Sequence, residues 1–221
     1  MSWRTLTYFG DSMLLIPTAC IIALFMAWKS EDRRTVWYWI LAFCMAGSIV
    51  SISKIAFMGF GIGNVRFNFT GFSGHSAMSA TFWPVIFWLF TSRFTPFWRV
   101  AAIGIGYLLP LLVGVSRLEL NAHSTSEVLT GLLIGFTLST LFLLSQRYAK
   151  IRHFTLPQLS AILLLPLLIM GHGRIATTQS FLEHLSMRIA GLDKPWTRAD
   201  LLKLHSPGPK TMVSTPALAS P

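Results

Sequence analysis

His123 and Glu127 stand four residues apart, the spacing that puts two side chains on one face of a helix. In that arrangement the carboxylate accepts from one imidazole nitrogen and holds the other toward a substrate, as an activated nucleophile or base requires. The same spacing also serves ordinary structural contacts. Glu119, on the other side of His123, is read as a solvated loop carboxylate. Upstream, Ser73-Gly-His75-Ser76 directly precedes an apolar run. Unpaired N–H groups at a helix N-terminus point outward, and a glycine lets an anion approach them. Ser73 and Gly74 are therefore candidates for a phosphate cradle, with His75 beside it; the plain alternative is a serine cap next to an interfacial histidine. Lys54 and Arg117 add permanent positive charge at the ends of two further apolar runs, where either alone could simply snorkel. Together the set suits a phosphate ester. Cations and N–H groups neutralise the equatorial oxygens, one histidine attacks phosphorus and the other protonates the leaving oxygen. This logic calls for no metal or other cofactor, the carboxylates being too few and too scattered for a two-metal cage.

The elements that must position these residues are membrane spans. A hydrocarbon core of about 30 Å needs about 20 mostly apolar helical residues, and shorter runs are tolerated at some cost. Six stretches qualify or nearly so: Ser12 to Trp28, Val36 to Met58, Ser76 to Thr91, Val100 to Val115, Ser124 to Leu144, and Leu156 to Met170. The expectation is an all-α integral membrane bundle of about six transmembrane helices occupying residues 1–170. The sixth run is the shortest and holds Pro157 and Pro166, so a half-span there stays open. The turns after the first, third and fifth spans, with Arg99, carry eight lysines and arginines. Alternation puts all of them on one face, cytoplasmic by the positive-inside rule. Phe72-Ser-Gly-His75 and Ser116 to His123 then face outward. In a bacterial inner (plasma) membrane, that is toward the periplasm.

Composition excludes the common soluble classes. Of 221 residues, 53% are hydrophobic and only 12% charged, which marks an integral membrane protein. The formal net charge of +10 forms no long basic stripe and no nucleic-acid motif, so the bilayer and its anionic lipids are the expected partners and nucleic acid is not. Cys20 and Cys44 sit within apolar runs and are given no function. In the tail, Ser180-Phe-Leu-Glu183 and Thr197-Arg-Ala-Asp200 have capping-box spacing, and Phe181, Leu185 and Ile189 fall on one face. Residues 171–205 are thus expected to form short amphipathic helices on the membrane surface, and the Pro-, Ser- and Ala-rich residues 206–221 to be disordered.

With these residues in hand, the chain resembles the type 2 phosphatidic acid phosphatase (lipid phosphate phosphatase) superfamily, whose motifs are Lys-x6-Arg-Pro, Pro-Ser-Gly-His and Ser-Arg-x5-His-x3-Asp. Ser116-Arg117, His123 and Glu127 match the third, with Glu for Asp. Phe72-Ser73-Gly74-His75 matches the second, with Phe for Pro. Lys54 opens the first, but Gly61-Ile62 stands in place of Arg-Pro. Arg66 is the candidate to fill that gap, its alternative being a solvent- or headgroup-facing charge. The family usually has one more span before the first motif. The resemblance implies that His123 is the nucleophile forming a phosphohistidine, Glu127 its orienting carboxylate and His75 the general acid. It also implies that Lys54, Ser73, Gly74 and Arg117 bind phosphate.

The expected function is a membrane-bound lipid phosphatase acting on a phosphate or diphosphate monoester, such as a phospholipid, polyprenyl or lipid A phosphate. Two alternatives keep the same site: a lipid phosphotransferase, and an inactive relative that binds anionic lipids. A transporter is a third reading, since intramembrane Lys, Arg and Glu are also its signature. Nothing in the sequence sets the substrate or the oligomeric state.

Overall fold

Long apolar helices account for the architecture. The computed structural model describes residues 2–91, 94–147, 155, 157–158, 160–162, 164, 168 and 178–205. A short helix α1 (Trp3–Thr7) and a 3-10 turn (Tyr8–Gly10) lead into α2 (Ser12–Lys29), followed by α3 (Arg34–Phe60), α4 (Gly74–Phe90), α5 (Pro96–Glu119) and α6 (Thr125–Ser145). Two further helices, α7 (Thr178–Ala190) and α8 (Arg198–His205), close the described residues. Each of the first five expected spans thus corresponds to one of α2 to α6. The sixth, Leu156 to Met170, lies largely outside the described residues, as does the tail from 206 onward.

Local signals set the helix ends. Asp11 caps α2 by accepting from the Met13 N–H at 2.8 Å, and Pro96 opens α5 at a position where its missing N–H costs nothing. Gly61, with φ +67°, ends α3 in the left-handed conformation. Four stretches, Trp3–Lys29, Arg34–Phe60, Pro96–Glu119 and Thr125–Ser145, are long and apolar enough to cross a membrane. Their exposed faces are apolar too, Leu24 at 70%, Ile52 at 66% and Leu133 at 68%. Such a surface needs hydrocarbon around it.

The shorter α4 is the hub, packed against α2, α3, α5 and α6 and buried from Ser76 to Ile86. Lipid tails are as apolar as leucine, so helices in a membrane associate by close packing, and small residues allow it. On α4 these are Ser76, Ala77 and Ala80; on α6 they are Gly131 and Gly135. The α4 hydroxyls are satisfied within the helix, Thr81 donating to the Ala77 carbonyl at 2.9 Å and Ser79 to that of Ser76 at 3.2 Å. Below this contact an aromatic core surrounds Trp39 and Phe82, each about 1% exposed. The Trp39 indole is satisfied by the Ala19 carbonyl at 3.0 Å.

The bundle has two chemically distinct ends. At one, the Thr35 hydroxyl donates to Gln146 Oε1 at 2.7 Å, near Lys29, Arg34 and Arg147. At the other, Ser12 and Thr178 share a hydroxyl hydrogen bond of 3.0 Å, so α6 ends at one face and α7 begins at the opposite one. There α7 and α8 pack on the end of α3. Leu182 and Leu201 pack on Phe57 and Met58 of α3, and the Trp196 N–H donates to the Met58 carbonyl at 2.9 Å. The apolar end of α3 supplies the reason for this docking. Phe181 and Ile189 remain exposed at 63% and 55%, so the amphipathic face read from sequence points away from the bundle.

The α4–α6 contact makes an expectation about stability. A methyl on Gly135 would meet the Ala77 carbonyl and the Ala80 Cβ, whereas one on Gly104 has open space. Alanine is favoured over glycine in a helix by about 1 kcal/mol, so Gly104→Ala should hold or raise the unfolding temperature in detergent. Gly135→Ala should lower it, by overpacking worth about 1–3 kcal/mol.

Candidate active site

Side chains from α3 to α8 converge on the end of the bundle where α2, α4 and α6 begin. The local fold puts Glu127 at the third position of α6. Ser124 caps the helix and the Glu127 side chain returns to the Ser124 N–H at 3.2 Å, a capping box. The carboxylate is fully buried, and its Oε2 lies 2.7 Å from His123 Nδ1. The spacing anticipated from sequence is therefore realised. His123 itself stands in the turn between α5 and α6, with its other ring nitrogen, Nε2, left for the cavity that it lines. Burial holds this imidazole below the ordinary histidine value, with the nearby Lys54 and Arg117 charges adding to the effect and the Glu127 carboxylate opposing it.

The second histidine comes from the start of α4. Ser73 caps this helix, its hydroxyl 2.9 Å from that of Ser76, and its own N–H donates to the Glu127 carbonyl at 3.1 Å. The two motif segments are thus joined through backbone. Gly74 and His75 occupy the first turn and line the same cavity as His123. Gly10 presses against His75: a side chain there would meet the His75 Cβ at 3.0 Å and Val113 at 2.7 Å.

Two cations reach the cavity from neighbouring helices. Lys54 of α3 donates to Gln179 Oε1 at 2.7 Å. Arg117 of α5 donates through Nη1 to Thr7 at 2.9 Å, while its Nε is buried without a hydrogen-bond partner. A buried N–H lacking an acceptor carries a desolvation cost of about 1–3 kcal/mol, which an anionic ligand would relieve. The cavity has a volume of about 560 Å³. Among the described residues, no three His, Cys, Asp or Glu side chains gather closely enough to hold a metal ion.

The structure brings together His75, His123, Glu127, Lys54, Gly74 and Arg117, with Ser73 behind them as the helix cap. It does not bring Arg66 to the cavity. Arg66 lies exposed on the turn between Asn64 and Phe69, its guanidinium 5.8 Å from the Phe67 ring. Glu119 is exposed as well. An arginine does reach the site, but it is Arg198. From the first position of α8 it places Nη2 2.8 Å from both oxygens of Glu127 and donates through Nη1 to the Asn68 carbonyl at 3.3 Å. Thr70 completes the carboxylate's surroundings, its N–H and hydroxyl each 2.6 Å from Oε1. Sequence reasoning missed Arg198, Thr70, Gln179 and Thr7. The available signal was the Thr197–Asp200 capping box, which fixes the start of a helix and hence the place of Arg198; the structure forms it, with Asp200 accepting from the Thr197 N–H at 3.0 Å.

Comparison with known proteins accords with this geometry. Residues 60–151 match the PAP2 superfamily, a segment holding Ser73 to His75, Arg117, His123 and Glu127. A Klebsiella pneumoniae protein described as "Uncharacterized 22.5 kDa protein in cps region" is 42% identical over 206 residues, 92% of this chain and 99% of that protein. No solved structure matches the chain. A buried His–Glu pair, a Ser-Gly-His helix start and an Arg117 with an unpartnered nitrogen, all within a matching segment, place the chain in the PAP2 superfamily, the type 2 phosphatidic acid phosphatases.

Proposed function

We propose that this phosphatase-type membrane protein hydrolyses a phosphate or diphosphate monoester of a membrane lipid through a phosphohistidine on His123. The observation that carries this reading is the 2.7 Å contact between His123 Nδ1 and the buried Glu127 carboxylate. It fixes the tautomer, with the proton on Nδ1 and the lone pair on Nε2. In the first step Nε2 attacks phosphorus, the N–P bond forms, the P–O bond to the lipid breaks, and His75 gives its proton to the leaving oxygen. In the second, water attacks phosphorus and passes a proton to His75, the N–P bond breaks and inorganic phosphate leaves. Lys54, Arg117 and the N–H groups opening α4 face the charge that develops on the equatorial oxygens.

The cavity's shape supports a lipid. Its lining includes Lys54, Val50 and Gly47 on α3 and Ser12 and Ile16 on α2. Seven residues of helix span about 10 Å, so the lining passes from the cationic end to apolar side chains deeper in the bundle. That gradient suits a phosphate at the surface attached to a hydrocarbon chain. Lys29, Arg33, Arg34, Arg99 and Arg147 gather at the opposite end, and by the positive-inside rule that end is cytoplasmic. We place the protein in a bacterial inner membrane with its site toward the periplasm.

The test is phosphate release from a panel of lipid phosphates by the detergent-purified protein in EDTA. Release should survive the chelator, fall by at least about 10³-fold in His123→Ala and by about 10²- to 10⁴-fold in His75→Ala. Folded wild-type protein that is silent on every lipid, with or without an added lipid acceptor, would sink the reading. Transfer to that acceptor instead of water would redirect it to a phosphotransferase.

The pH dependence has a defined sign. The attacking imidazole must be neutral, so kcat/KM is lost as pH falls through the His123 pKa. Burial depresses that value, and the acid limb should lie below the free-imidazole value of about 6.5. Glu127→Gln removes the group pulling it upward, so the limb should move further to acid while the rate drops by up to about 10⁴-fold.

A further inference from the structure

We infer that Arg198 is a positioning residue of this site, acting through Glu127, and that the C-terminal segment 178–205 is therefore a working part of the catalytic apparatus. The inference rests on the histidine phosphatase reading above and extends it to residues outside the matching family segment, which ends at 151.

The argument starts from the charge. A carboxylate with no exposed surface carries a desolvation penalty that one imidazole hydrogen bond does not offset. Thr70 saturates Oε1 with two donors, and Ser124 adds a long backbone bond to Oε2. The remaining compensation is a full positive charge, and Arg198 is the side chain that brings it into contact, 2.8 Å from each oxygen. The same guanidinium reaches the Thr70 hydroxyl at 3.2 Å and the Asn68 carbonyl at 3.3 Å. It thereby ties the loop before α4 to the start of α6. With the carboxylate neutralised by arginine, His123 has no need to be protonated to balance it. The imidazole stays a neutral nucleophile whose orientation is still set by Oε2.

The placement of Arg198 is built. It follows the Thr197 cap, which Asp200 closes through the Thr197 hydroxyl at 2.6 Å. Trp196 lies over Gly61, where a side chain would meet its ring at 3.2 Å, and Leu201 is buried among Phe57, Met58 and Leu182. Two more bonds fasten the segment to the site, Gln179 to Lys54 and Thr178 to Ser12. The chain lacks Arg-Pro at Gly61-Ile62 and carries Glu in place of Asp at 127. In the structure the longer carboxylate of Glu127 spans from His123 to an arginine delivered from the tail, while Gly61 packs against the neighbouring Trp196.

The charged and titratable groups around His123 are Lys54 of α3, His75 of α4, Arg117 of α5, Glu127 of α6, Glu183 of α7 and Arg198 of α8. Removing Arg198 leaves Glu127 to pull on His123 alone, so the imidazole pKa should rise. This shift is opposite in sign to that of Glu127→Gln. The experiment compares wild type, Arg198→Gln, Arg198→Lys, Glu127→Gln and the double variant Glu127→Gln/Arg198→Gln in detergent. The measurements are kcat and KM on the best lipid phosphate, competition by inorganic phosphate, unfolding temperature, and the His123 imidazole titration by NMR. Arg198→Gln should lose about 10²-fold in kcat, as expected for a misplaced catalytic group. KM and the inhibition constant for phosphate should stay within about twofold, and Arg198→Lys should recover part of the rate. In the Glu127→Gln background Arg198→Gln should add little.

Wild-type kcat in a folded Arg198→Gln protein would overturn the inference. So would an effect that is fully additive with Glu127→Gln, or a loss of phosphate competition alone, which would make Arg198 a direct phosphate ligand. The titration needs no turnover. If no lipid is hydrolysed, the enzymatic reading fails by itself, and a His123 pKa unmoved by Arg198→Gln is then the separate result that rejects the coupling.

Discussion

The buried carboxylate of Glu127 is the constraint on which the rest of the structure depends. Putting an ion in a membrane-embedded bundle costs several kcal/mol unless donors surround it. Here they come from the loop before α4, from the turn and first residues of α6, and from α8. Three segments far apart in sequence are held at one point because each satisfies part of a single charge. The same charge orients His123. Fold and chemistry are therefore coupled, since a change that loosens any of the three donors disturbs the histidine as well as the packing.

What brings the second histidine to that point is a purely steric device. Small residues on α4 and glycines on α6 let the two backbones approach until the Ser73 N–H reaches the Glu127 carbonyl. The start of α4 and the start of α6 thus share one level. With α3 and α5 antiparallel to them, the ends of those helices deliver Lys54 and Arg117 to the same level. Clustering of like charge at one end would be unfavourable in isolation. It is the electrostatic state suited to a dianionic ligand, which neutralises what the protein alone leaves unbalanced.

Much of this could be read from sequence, and the reasons are physical. Apolar runs long enough to cross a bilayer leave few other conformations for the chain, so α2 to α6 followed from hydropathy, with α5 running further at both ends because Pro96 starts it and nothing stops it before Glu119. His123 and Glu127 were legible because i,i+4 geometry is local, and Ser73 because a cap is local. Arg66 and Arg198 show the opposite case. Arg66 is a candidate by nearness along the chain, but the tight turn from Asn64 to Phe69 carries it outward onto Phe67, in keeping with its alternative reading as an outward-facing charge. Arg198 lies 71 residues beyond Glu127, and nothing local ties the two. The demand for it was visible only indirectly, as a carboxylate in an apolar setting with too few partners nearby. The family match covers 60–151 and reaches neither α7 nor α8.

The distribution of polarity among the described residues also bears on whether the chain is an enzyme or a conduit. A transporter needs polar groups or broken helices near the middle of the membrane, so that a ligand can pass from one side to the other. In the described residues the cations that line the cavity and both site histidines stand at one end. Immediately beneath lies a core in which Leu15, Ile22, Trp39, Phe82, Trp88 and Phe142 are all buried. The indole N–H of Trp39 is already taken by a backbone carbonyl, leaving a plug of aromatic carbon. Among the described residues, the buried hydroxyls of Thr18, Ser79 and Thr81 already donate to backbone carbonyls, so dehydration of an anion moving down from Lys54 and Arg117 would go largely uncompensated there. Within the described residues, the energetically open course for an anion that enters this cavity is to stay at that end or to leave by the face it came from.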